Sequence, residues 1–115
     1  MTMADDSGEF VPKGSAVLPE IPAELGVHPL LLAILHAVIF LDGSEEDVVD
    51  PDAAVEALGY MAEYLQRLSG DELRRIQEDM HALAVFARQE KWPKQHIRFF
   101  KEFLSNFGIV EKEEA

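Results

Sequence analysis

A chain of 115 residues, 48% hydrophobic and 28% charged, carries enough apolar side chains for one core and too many for intrinsic disorder. It has no cysteine, which excludes disulfides, thiolate nucleophiles and thiolate metal sites together and fits a reducing compartment. The formal net charge of −12, from 22 acidic and 10 basic residues, opposes binding to nucleic-acid phosphates or an anionic membrane and suits a basic protein partner.

Residues 1–20 mix Gly8, Pro12, Gly14, Ser15 and Pro19 with scattered acids and show no sustained period, so they are expected to form a flexible arm. The first residues are acidic where an export signal needs a positive start and an apolar stretch, and a cytoplasmic protein is expected. Within 21–26, a short turn should pack Ile21 and Leu25 on the body. The helical domain is expected over 21–110, with an acidic tail at 111–115.

Pro29 predicts the start of a helix running to Leu41, because its fixed φ suits the first helical position and its missing N–H has no intrahelical partner to lose. The run from Leu30 to Leu41 has His36 as its only polar member and is too short for the ~20 residues a bilayer requires. An apolar circumference on this helix implies a central place or a covering partner, and Ile34 is expected to lie in a homodimer contact. His36, within that run, is expected to be an ordinary neutral core histidine.

Asp50-Pro51-Asp52 predicts the next helix: a carboxylate cap, a proline at the first position and a negative charge beside the positive helix end. That helix should reach Leu68. Ala54, Leu58, Met61, Leu65 and Leu68 form its apolar stripe, and Glu63 pairs with Arg67 on the wet side. Ser69-Gly70-Asp71-Glu72 reads as a capping box opening a third helix to Lys91. Leu73, Ile76, Met80, Leu83 and Ala87 form the inner stripe there; Arg74, Arg75, Glu78, Asp79 and Arg88 fall on the solvent side. Trp92-Pro93 breaks the pattern and opens a fourth helix over 93–107, with Ile97, Phe100, Phe103, Leu104 and Phe107 on one face. Gly108 suits a left-handed cap, and Ile109 should fold back on Leu104. With no stretch alternating over strand length and only short connections, the fold class expected is all-α, a compact antiparallel bundle of about four main helices.

Few residue patterns bear on chemistry. Glu78-x-x-His81 places a carboxylate and an imidazole on one helix face, as carboxylate-bridged di-metal bundles do, but those sites need a second such motif that this chain lacks. The other histidines, His28, His36 and His96, are dispersed. Asp42 to Asp52 holds six carboxylates and no base, without the alternation, central glycine or closing glutamate of a calcium loop. No cofactor and no metal are therefore expected. The acidic run, with Asp42, Glu45, Glu46 and Asp47, is expected to be a solvated loop, and its functional reading is a docking surface for a basic partner. Arg88, Lys91, Lys94, Arg98 and Lys101 concentrate the opposite charge around Trp92 and Phe99, where pairing with the acidic run or an interaction surface is expected. The function expected is a non-enzymatic protein-interaction module that masks a basic partner, as an immunity or inhibitor protein does, or self-associates. The alternative is a metal-dependent or small-ligand enzyme built on Glu78 and His81.

Overall fold

In a computed structural model, which describes residues 13–110, four α-helices follow a single 3-10 turn: α1 Pro29–Gly43, α2 Pro51–Leu65, α3 Gly70–Gln89 and α4 Lys94–Asn106. The all-α reading is shown, and no strand occurs among the described residues. None of their helices is long and apolar enough to cross a membrane. Residues 1–12 of the expected arm and the expected acidic tail at 111–115 lie outside the described residues.

The helix starts follow local chemistry. Asp50 caps α2 by accepting from the Ala53 N–H at 2.8 Å, with Pro51 at the first helical position. At α1 the cap is His28, whose Nδ1 accepts from the Leu30 N–H at 3.1 Å. The capping box expected at Ser69 does not form. Gly70 enters α3 at φ +59°, a left-handed conformation, and no side-chain bond from Ser69 caps the helix. The Glu63–Arg67 pair is also absent among the described residues. Because α2 ends at Leu65, Arg67 does not continue the helical face, and its guanidinium lies over the Tyr64 ring, 4.8 Å from the centroid.

Two helices end in the same way. Beyond α4, the Ile109 N–H donates to the Leu104 carbonyl and the Gly108 N–H to that of Ser105, closing a Schellman motif on Gly108 at φ +71°. Beyond α3, the Trp92 N–H reaches Ala87 and the Lys91 N–H reaches Arg88, but here a lysine holds the left-handed position at φ +59°. That turn swings Trp92 inward, where its ring meets Phe86 edge-on and lies near Phe100.

The core joins Leu31, Leu35 and Val38 of α1 to Met80, Leu83, Ala84 and Ala87 of α3 and to Phe100 and Phe103 of α4. Of the central place or covering partner expected for α1, the chain supplies cover for Leu31, Leu35 and Val38 itself and leaves Ile34 half-buried. Part of that cover comes from residues 13–27. Leu18, Ile21 and Val27 are buried, and the Ala16 N–H donates to Ser44 Oγ at 2.9 Å. This stretch is a strap lying across the helices, and the 3-10 turn Ala23–Leu25 sits within it. By contrast, α2 buries only Ala54 completely, while Leu58, Met61, Leu65 and, just beyond the helix, Leu68 are half-covered.

The strap also corrects the placement of Asp79, expected on the solvent side and in fact 7% exposed. Its Oδ2 accepts from the His28 N–H at 3.1 Å, and both carboxylate oxygens accept from Arg75 Nε at 3.1 and 3.2 Å. Arg75 Nη2 donates in turn to the Gly26 carbonyl at 3.0 Å. One carboxylate and one guanidinium thus tie the chain ahead of α1 to the flank of α3.

Candidate functional site

The end of the bundle where α1 and α3 begin and α2 and α4 finish carries an open, largely apolar groove of about 450 Å3. One wall is the first turns of α1, through Leu30, Leu31 and Ile34. Leu65 and Leu68 face it from the end of α2, and Ile76 from α3. Phe103, almost wholly buried, forms part of the floor, and Ile109 closes one side by virtue of the turn at Gly108. Leu30 is 69% exposed at the lip, so an apolar side chain of full size stands in water there. A volume of this order falls within the range of about 300–1,000 Å3 in which proteins hold ligands and anchor side chains.

The polar edge consists of His28, Asp71, Glu72 and Arg75. Arg75 is engaged by Asp79 and Gly26, as described above, which leaves its charge largely compensated. Asp71 is paired with Arg74, but both side chains are well exposed, and such a pair contributes little and exchanges easily. The uncompensated charge at the rim is therefore negative, in keeping with the chain as a whole.

The residues singled out by sequence are distributed around this site without forming it. Ile34 is half-buried and does line the groove. Asp42 and Phe99 line a second, smaller cleft of about 310 Å3 between α1, α2 and α4, whose floor is again Phe103. Glu45, Glu46 and Asp47 are exposed in the turn after α1, where the Glu45 N–H donates to the Gly14 carbonyl of the strap. That turn lies at the end of the bundle opposite the groove. Trp92 is half-buried among Phe86, His96 and Phe100. Arg88, Lys91, Lys94, Arg98 and Lys101 are exposed, and no ion pair joins them to the acidic run among the described residues.

Glu78 and His81 are exposed on α3, and His81 lines an open depression of about 450 Å3 of mixed character, with Gln77, Lys101 and Ser105 beside Met80, Phe100 and Leu104. No group of three or more His, Asp or Glu side chains is placed to hold a metal ion among the described residues. His36 is half-buried on α1. Near Trp92, desolvation by burial lowers the His96 pKa from its ordinary value of 6.5, and the His96 Nδ1 is buried with no hydrogen-bond partner among the described residues.

Sequence reasoning missed the groove because its parts look like core stripe. Leu65, Leu68, Ile76 and Phe103 sit at the spacing of residues that bury themselves, yet Leu65, Leu68 and Ile76 are only half-buried while Phe103 is covered. No protein-family model, curated protein or solved structure matches the chain.

Proposed function

We propose that this protein is a non-enzymatic interaction module that captures a basic protein partner at the groove and masks the captured segment, in the manner of an immunity or inhibitor protein. The single observation that supports this most is the groove itself: partly exposed apolar walls with a negatively charged rim on a chain of net charge −12. Apolar side chains standing in water at a concave site gain free energy when a partner covers them. A field of one sign speeds encounter with the opposite sign and rejects like charge. Absence of cysteine suits such a protein to the reducing cytoplasm.

A photo-crosslinking amino acid at position 30, on the groove lip, tests this against the same probe at position 55. Val55 on α2 is equally exposed but outside the groove. The proposal expects a basic protein crosslinked from position 30 and not from position 55. Equal labelling at the two positions refutes the groove as the binding surface. A crosslinked second copy of the chain replaces the basic partner with self-association.

A further inference from the structure

We infer that the groove's occupant is an amphipathic α-helix of the basic partner, with an apolar side chain over Phe103 and a lysine or arginine about one turn away at Asp71 and Glu72. This rests on the groove reading above and specifies what enters.

The make-up of the walls favours a helix over an extended segment. The walls are made by side chains of α1, α3 and α4, of the end of α2 and of the turns beyond α2 and α4, and no strand edge borders the groove among the described residues. An extended peptide laid there would find no strand edge to pair with, and its own backbone groups would be desolvated without partners. A helix bonds its backbone internally and presents apolar side chains at i, i+3, i+4 and i+7, which is the way helices are read by grooves of this kind.

The charge of the flank follows from the rim. Asp71 and Glu72 occupy the first turn of α3 beside Leu68 and Ile76, and both are exposed. Among the described residues, the one lysine or arginine lining the groove, Arg75, is held by Asp79 and Gly26. A cation arriving with the partner helix meets two carboxylates there, one already in an exposed and exchangeable pair with Arg74. An anion in the same place is repelled.

The test uses the whole protein and three fluorescent peptides of equal length, read by anisotropy at low and moderate salt. The first has leucines at i, i+4 and i+7 with lysines on the flank. The second is the same helix with glutamates for lysines. In the third, the composition of the first is rearranged to alternate apolar and polar residues. The inference expects the first to bind at least about tenfold more tightly than the others, with affinity falling as salt rises. Leu30→Ser should weaken it by about tenfold, the loss expected for one uncovered apolar side chain. Asp71→Lys with Glu72→Lys should abolish the preference for the first peptide over the second. All three substituted positions are exposed, and Trp92 fluorescence from the far end of the bundle verifies folding. Tightest binding of the alternating peptide, or equal binding of the acidic helix, overturns the inference. If position 30 still crosslinks a natural partner while the basic helix does not bind, the occupant is wrong and the groove reading stands.

Discussion

Replacing Asp79 by alanine should destabilise the fold by about 2 kcal/mol. The carboxylate is 7% exposed and serves the His28 N–H at 3.1 Å and Arg75 Nε at 3.1 and 3.2 Å. A hydrogen bond to a charged group contributes about 1.5–3 kcal/mol, and a buried donor left without a partner incurs a penalty of similar size. The Arg75 arm is discounted, because that side chain is half in water and can rehydrate. Loss of a buried charge also returns some desolvation free energy, which holds the total near the lower end. For a domain of this size, about 2 kcal/mol corresponds to a fall in Tm of roughly 8–16 °C. Urea and thermal unfolding followed by circular dichroism measure this directly. Hydrogen exchange at the His28 amide should rise in the same variant, and Asp79→Asn, which keeps an acceptor for that amide, should lie between alanine and wild type. A loss below about 0.5 kcal/mol, with unchanged His28 exchange, refutes the claim that this carboxylate holds the strap to α3.

The two Schellman turns make opposite predictions. Lys91→Gly should stabilise by about 0.5–1 kcal/mol, as glycine relieves the left-handed strain at φ +59°, and an unfolding midpoint that does not rise refutes it. Gly108→Ala should destabilise by at least about 1 kcal/mol, since a Cβ there would meet Gln66 Nε2 at 2.8 Å and disturb its 2.8 Å bond to the Phe107 carbonyl. For His96, burial favours the neutral ring, so the folded pKa lies below the unfolded value. The stability it supports is complete above 6.5 and is lost as pH falls through the lower folded value. His96→Phe should therefore unfold with a smaller drop in midpoint between neutral and mildly acidic buffer than wild type; an identical drop refutes it. Protein purified without chelators and then offered zinc or manganese should hold no stoichiometric metal, and one equivalent lost on His81→Ala would restore the enzymatic alternative.

The chain states its helices openly and its tertiary exceptions poorly. Pro29, Asp50-Pro51 and Gly108 act within a turn of their own position, so the starts of α1 and α2 and the end of α4 could be read residue by residue. Trp92-Pro93 marked the break between α3 and α4, with α4 beginning one residue later, at Lys94. Asp79 could not be read in this way. Its backbone donor lies 51 residues away, and the carbonyl held by Arg75 lies 49 residues away, so local periodicity on α3 placed the carboxylate in water. The apolar circumference of α1 was visible, but its cover was not, because Leu18, Ile21 and Val27 belong to a stretch whose glycines, prolines and acids show no period. The groove was illegible for the complementary reason: half-covered and fully covered leucines look alike until the distance between helices is known.

The strap has a kinetic consequence. Neighbouring helices such as α3 and α4 can meet by closing a short connection, whereas the strap's bonds to Ser44, Asp79 and Arg75 join residues 28, 51 and 49 apart. Closing the longer loops costs more chain entropy, and this cost precedes the contacts that reward it. Docking of the strap is thus expected to follow the pairing of α3 with α4. Since it fixes His28 and with it the entry to α1, the wall carrying Leu30 and Leu31 is set only once the strap has docked. A chain whose strap is not docked would expose the same leucines without the concave shape, so on the proposed function any selectivity among partners would depend on the strap.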